Sequence, residues 1–220
     1  MKILVTAPAG EIGRRVLSEL LAPEFSVRII TRDPGRLAGE IREQVEIVRG
    51  ATDDPIALRR ALDGVDSMFW HIPGASSEGT DVRGRYLRFA RAGCQAIREA
   101  QTPRVVTVSA VGKGVARDPG LVSALHEREG VLNESGAAFR HLRSGVLGEN
   151  PHSPERPAFA DGNLSRSMSG EVPPSMVEAD DLADAALRWL VRRDWEGTAR
   201  MAVHGRGDHW FSQAVAVMET

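Results

Sequence analysis

The sequence predicts an α/β domain in which a mostly parallel sheet is wound on both faces by helices, and three observations carry that prediction. Short apolar runs of strand length alternate with amphipathic runs of helix length along the chain, the pattern of repeated strand–helix–strand crossovers. A turn of small residues, Ala7-Pro-Ala-Gly10-Glu-Ile-Gly13, separates the first strand from the first helix. The 220 residues, 42% of them hydrophobic, suit one sizeable core, and no repeat or linker divides them. Residues 1–220 are therefore expected to form a single domain.

The first strand is Lys2–Thr6, and Ile12, Val16 and Leu20 recur every four residues along the helix that runs to Leu21. Between them, Gly10 lets a ligand approach the backbone closely. Gly13, one turn into the helix, lets that helix lie against the strand it follows. The free N–H groups and the positive dipole end of the helix then face the turn, which suits a pyrophosphate without a cationic side chain. Ala7, Ala9, Gly10, Glu11, Ile12 and Gly13 are thus expected to line a dinucleotide. Ala7 stands where a G-x-x-G-x-x-G spacing has its first glycine, and it is expected to fit there with a negative φ, beside a proline that stiffens the turn.

The second strand, Ser26–Thr31, ends in Arg32-Asp33-Pro34. An acid at this strand end pairs with a ribose 2′-hydroxyl, whereas an arginine suits a 2′-phosphate. Arg32, with Arg36 one turn on, favours NADP(H) over NAD(H). The alternative keeps NAD(H) open: Arg32 is a solvated strand end and Asp33 caps the short helix after Pro34.

A third strand, Val45–Val48, leads into Asp53-Asp54-Pro55 and a helix through Leu62. Either acid would cap that helix, with proline in its first turn; Asp53 is also the candidate for an adenine contact. The fourth strand, Ser67–His71, ends in Ile72-Pro73-Gly74, beside the crevice where strand order reverses, so His71 and Pro73 are expected to flank the cofactor. The helix Asp81–Glu99 buries Cys94 on its apolar stripe with Leu87, Ala90 and Ile97. The fifth strand, Arg104–Ser109, ends in a serine that either faces the reacting part of a substrate or serves as a cap or turn residue.

Several partner classes are disfavoured. A formal charge of −2 with scattered basic residues offers no field for nucleic acid. No stretch approaches the roughly 20 apolar residues of a spanning helix, so no membrane is expected. The lone Cys94 forbids an intrachain disulfide and fits a reducing, cytoplasmic compartment. A small-molecule substrate is the expected partner. His204, Asp208 and His209 read as a surface turn, not as a metal site.

In the second half, His126 and Glu129 share a face of the helix Leu121–Ser135. Either that face meets a reacting group, with His126 positioning substrate or donating a proton, or this is an exposed helix of Glu127, Arg128, Glu129 and Glu134 with ordinary pairs along it. The strand Ala138–Leu142 follows. Residues Arg143–Pro174, rich in Pro, Gly, Ser and Asn, are expected to form either a lid over the substrate site or a mobile segment. Asp180 and Asp181 then cap a helix Leu182–Val191, before a strand Ala199–Val203 and a last helix Phe211–Met218.

Taken in order, these stretches resemble the NmrA-like, atypical branch of the short-chain dehydrogenase/reductase superfamily. The matching motifs are the Ile3–Gly13 turn, Thr31-Arg32-Asp33-Pro34, Asp53–Leu58 with Ala61–Asp66, and Val106–Ser109. Further on come Leu125-His126 with Glu129, Ser135-Gly136, Leu142–Gly145 with Glu149-Asn150, and Val177–Ala185. The resemblance implies a Rossmann fold that binds NAD(P)H, in a family divided between reductases and redox-sensing proteins, which also often has a histidine and an acid near His126 and Glu129. It also implies a small C-terminal substrate-site extension, shorter here than in relatives, so that the pocket is shallow or completed by a second subunit in a homodimer.

One departure bears on chemistry. The Tyr-x-x-x-Lys dyad is missing: the only tyrosine is Tyr86, and the only lysines are Lys2 and Lys113. Reducing a ketone needs a proton donor at the carbonyl oxygen, whereas hydride transfer to a quinone or an enone can take its protons from water. The expected function is such a transfer, with His126 and Ser109 as candidate catalytic residues and Ser109 also flanking the nicotinamide. A non-catalytic NAD(P)-sensing protein, or an isomerase or cyclase on the same fold, is the alternative.

Overall fold

Seven strands lie parallel in one sheet, and the order in which they do so positions everything else. The computed structural model describes residues 1–72, 81–112, 121–148, 159–160, 163–164 and 175–205. The first half of the sheet is built from β1 (Lys2–Thr6), α1 (Glu11–Glu19), β2 (Ser26–Thr31), α2 (Gly39–Gln44), β3 (Glu46–Arg49), α3 (Pro55–Leu62) and β4 (Ser67–Trp70). The second half adds α4 (Val82–Ala100), β5 (Arg104–Ala110), α5 (Leu121–Asn133), β6 (Ala138–Ser144), β7 (Val146–Leu147), β8 (Phe159–Ala160), β9 (Asn163–Leu164), β10 (Met176–Val177), α6 (Ala179–Leu190) and β11 (Thr198–Val203). The sheet order is β3-β2-β1-β4-β5-β6-β11, with every pairing parallel.

This is the doubly wound Rossmann arrangement. From β1 the chain steps outward to β3, then crosses back to place β4 on the other side of β1, so the crevice opens at the carboxyl ends of β1 and β4. Strands covered on both faces read as continuous apolar runs, as Ile3–Val5 and Ser67–Trp70 do. One face packs α3, α4 and α5 around Trp70, Leu58, Ala90 and Phe139, and the other packs α1 and α6 around Val16, Phe69, Leu142 and Leu182. Cys94 is buried on α4, as the stripe predicts.

Several boundaries differ from expectation. The fourth strand stops at Trp70, leaving His71 just beyond it. β6 continues to Ser144, so Arg143 belongs to the sheet and not to a lid. The helix expected at Leu182 begins at Ala179 with Glu178 at its N-cap, and Asp180 and Asp181 lie in its first turn, where their charge favours the helix dipole. Helix α2 escapes the hydrophobic period because it is short and buries none of its residues.

After β6 the chain is fastened: β7 pairs with β10, and β8 pairs with β9 as a small antiparallel ladder. Gly145 makes the first of these contacts possible, since a Cβ there would stand 1.8 Å from the Ser175 carbonyl oxygen. The rest of the expected lid, Pro73 and the expected helix Phe211–Met218 lie outside the described residues. No described helix is long and apolar enough to cross a membrane.

Candidate cofactor and reaction site

The turn between β1 and α1 closes on itself. The Gly10 N–H donates to the Ala7 carbonyl at 3.0 Å, and the Arg14 N–H donates to the Gly10 carbonyl at 2.9 Å to begin the helix. Gly13 is dictated by proximity: a Cβ at that position would sit 2.1 Å from the Ala7 carbonyl oxygen. The helix therefore lies on the end of the strand only because Gly13 has no side chain. Gly10 caps α1 in an extended conformation with no side-chain hydrogen bond, which leaves the leading turn without a side-chain acceptor.

Two features of this turn correct the sequence expectation. Ala7 has φ +49°, in the left-handed region that glycine favours, because the turn closes through its carbonyl. The negative φ expected there does not occur. Glu11 places a carboxylate in the first turn, and it is held by Arg15 at 2.6 Å and Arg14 at 3.0 Å. These contacts, the Arg15 hydrogen bond first, keep its pKa below the ordinary carboxylate range. Arg15 also reaches Asp180, tying α1 to α6. Ile12 is buried in the core beneath the turn, with Ala9 packed against it.

At the end of β2, Arg32 is exposed and has no hydrogen bond or ion pair among the described residues. Asp33 caps the short 3-10 turn Pro34–Arg36, its carboxylate accepting from the Gly35 N–H at 2.9 Å. Asp54 caps α3 by accepting from Ile56 and Ala57. Asp53 is turned to α4, where Arg88 holds it at 3.1 Å.

The remaining candidates gather where β4, β5 and β6 end. Thr6 links β1 to this region: the His71 N–H donates to its Oγ1 at 2.7 Å. The His71 ring stacks on Phe69, and its Nδ1 is buried with no hydrogen-bond partner. Burial, and then the nearby Arg128 charge, push its pKa down to about 4, so the ring is neutral at neutral pH. Ser109 is buried, and its Oγ likewise has no partner, so it serves neither as a cap nor as a turn residue. His126 is tied to the same strand end: Nε2–H donates to the Ala110 carbonyl at 2.7 Å. That bond commits a proton to Nε2, since a carbonyl oxygen can only accept.

Helix α5 is not the exposed, ion-paired surface helix weighed above. Arg128 and Glu129 are both 1% exposed. Glu129 takes a bidentate grip from Arg143 at 2.9 and 2.6 Å and a third contact from Arg200 at 3.2 Å. Burial alone would raise its pKa, but the Arg143 hydrogen bonds, with the Ser109 hydroxyl and the surrounding charges, hold it at about 2. The Ser109 hydroxyl faces this carboxylate without reaching hydrogen-bond geometry. Beneath the clamp, His141 is neutral, pushed to about 4 chiefly by burial, and lies between Thr107 at 2.8 Å and Asn133 at 2.9 Å.

Arg128 and His141 are the polar residues that sequence reasoning missed. Among the described residues no group of three His, Cys, Asp or Glu comes together. His204 shares a hydrogen bond with Ser175 at 3.0 Å.

Comparison with known proteins accords with this geometry. A family model described as NAD(P)H-binding matches residues 9–192. A Streptomyces griseus protein, (4-alkanoyl-5-oxo-2,5-dihydrofuran-3-yl)methyl phosphate reductase, is 31% identical over 198 residues, covering 90% of this chain and 66% of the relative. The chain thus spans a little under two thirds of that protein. Among solved structures, the NADPH-dependent quinone oxidoreductase of Escherichia coli complexed with NADPH superposes with a TM-score of 0.76 at 22% identity, over 99% of this chain and 75% of the other. The Citrobacter sp. triphenylmethane reductase complexed with NADP(H) gives the same TM-score at 19% identity, over 100% and 75%. The chain belongs to the NAD(P)H-binding family, with the NmrA-like, atypical short-chain dehydrogenase/reductases that its motifs resemble.

Proposed function

We propose that the chain is a reductase that prefers NADPH and passes hydride to a conjugated acceptor, an enone or a quinone. The observation that carries the reading is the glycine-built head of α1, which has no side-chain cap, with an exposed Arg32 that has no partner among the described residues at the end of the adjacent strand β2. The backbone of Gly10, Ile12 and Gly13 would hold the pyrophosphate, with Ala7, Ala9 and Glu11 completing the turn. Arg32 would take the 2′-phosphate. Asp53, held by Arg88, would stand at the adenine side, and His71 and Ser109 would flank the nicotinamide. Bound there, NADPH supplies the hydride.

The described residues at these strand ends supply little proton chemistry at neutral pH, which favours acceptors that need little. His71 is neutral, and the Nε2 proton of His126 is committed to a backbone carbonyl. An acceptor that spreads its new electron pair through a conjugated system and takes its proton from water suits this site. The Streptomyces relative supports the enone arm, since the dihydrofuran in its name has a ring double bond conjugated with carbonyl groups. Absorbance at 340 nm with a panel of quinones and enones tests the proposal. Steady NADPH oxidation by at least one of them, faster than with NADH, is expected. Tight NADPH binding with no turnover across the panel would instead favour a redox sensor.

A further inference from the structure

Arg128 is among the largest fully buried side chains described, and it has no ion pair among the described residues. Its Nη2 donates to the Val108 carbonyl, its guanidinium lies 5.7 Å from the centre of the Tyr86 ring, and its Nε is buried with no acceptor. The neighbouring Glu129 is already engaged by Arg143 and Arg200. A buried cation without a carboxylate costs several kcal/mol, more than a carbonyl bond and a ring face return. Such a group is retained where it meets negative charge that the resting protein does not contain.

The place is specific. Val108 immediately precedes Ser109, and Ser109 Oγ, His71 Nδ1 and Trp70 Nε1 are further buried, unpartnered polar atoms at the ends of β4 and β5. The Arg128 charge is felt at His71, where it adds to burial in keeping that ring neutral. Desolvation lowers the pKa of Arg128 itself only to about 10, so it stays charged at neutral pH.

We infer that Arg128 is a positioning residue that makes the ends of β4 and β5 an oxyanion-stabilising site, with the Ser109 hydroxyl, which has no hydrogen-bond partner at rest, as the donor that turns its proton from Glu129 to the acceptor oxygen. The inference rests on the proposed reductase function and deepens it. An enone gains a hydride from NADPH at its β-carbon, and NADP⁺ is released. The C=C electron pair moves toward the carbonyl, and the oxygen becomes an enolate. A proton from water then completes the product. The charge on that oxygen is the charge Arg128 lacks in the resting protein, and it fills the place of the missing tyrosine.

The test uses 4-nitrophenol, whose ring-conjugated oxygen mimics the enolate and whose ionisation is visible by absorbance without turnover. In the full chain with NADP⁺ bound, the phenol is expected to bind as phenolate, with its pKa lowered by about one unit, equivalent to tenfold tighter phenolate binding. Arg128→Met should abolish that shift, leave NADPH affinity within about twofold, and raise thermal stability, because a buried unpaired charge has been replaced by an apolar chain of similar volume. Arg128→Lys should retain the shift. The inference is overturned if wild type leaves the phenol unbound or its ionisation unchanged. It is overturned too if Arg128→Met keeps the shift, or if the Met and Lys variants both fail to fold, the result of a purely structural role. Phenolate binding without NADPH oxidation by any acceptor would overturn the reductase reading and leave the anion site standing. Oxidation without phenolate binding would do the reverse.

Discussion

Ala7 holds a backbone conformation that costs an L-residue about 1–2 kcal/mol. Ala7→Gly should therefore stabilise the fold by about 1 kcal/mol despite the extra freedom of the unfolded chain, and cofactor affinity should stay the same or tighten. Urea unfolding with parallel NADPH titration checks both, and a lower midpoint would contradict the strained turn. Arg32 is the second residue whose role can be isolated. Arg32→Ala should weaken NADPH by about 1.5–3 kcal/mol, the worth of a charge-assisted hydrogen bond, and leave NADH nearly unchanged; equal NADPH affinity in the two proteins would refute it. The reason for Gly13 was legible because it acts within a few residues of itself. The left-handed Ala7 was not, since its φ is set by closure of the turn through its own carbonyl.

Helix α5 shows why the rest of the site could not be read in advance. Its charged face looks like a solvated one until β6 and β11 present Arg143 and Arg200 to Glu129, from 14 and 71 residues further along the chain. The same docking buries Arg128 against α4 and β5. Glu129→Gln, which leaves both arginines short of their carboxylate, should cost about 3 kcal/mol at neutral pH. Its pH dependence has a definite sign. A carboxyl held at about 2 in the folded chain stabilises it fully above the ordinary carboxylate range, and that contribution is lost as pH falls toward 2. The gap between the urea midpoints of wild type and Glu129→Gln should thus hold at neutral pH and narrow as pH falls from 4.5 toward 2; a constant gap would show that the clamp does not titrate. Tyr86→Phe keeps the ring beneath Arg128 and should leave acceptor turnover nearly intact. A large loss of NADPH oxidation in that variant would make the hydroxyl a participant.

At the scale of the molecule, the alternating pattern of strands and helices was enough to anticipate the wound sheet, because each crossover is a local event of predictable hand. The contacts between its distant parts were not visible in that pattern. If the cofactor binds the native fold alone, NADPH at 100 times its dissociation constant should add about 2.7 kcal/mol to unfolding stability. NADH at the same concentration should add less, and an unchanged transition with NADPH would remove the cofactor from the account altogether. The packing of α1 against α6 has one more consequence. Arg15 near the start of the chain reaches Asp180, and the Ser67 hydroxyl donates to the Leu190 carbonyl at 2.9 Å. The helix that heads the phosphate turn is therefore covered by a segment that leaves the ribosome more than a hundred residues later. Until α6 emerges, the growing chain has its fingerprint but an open core behind it, so cofactor competence arrives late in synthesis and nearly all at once.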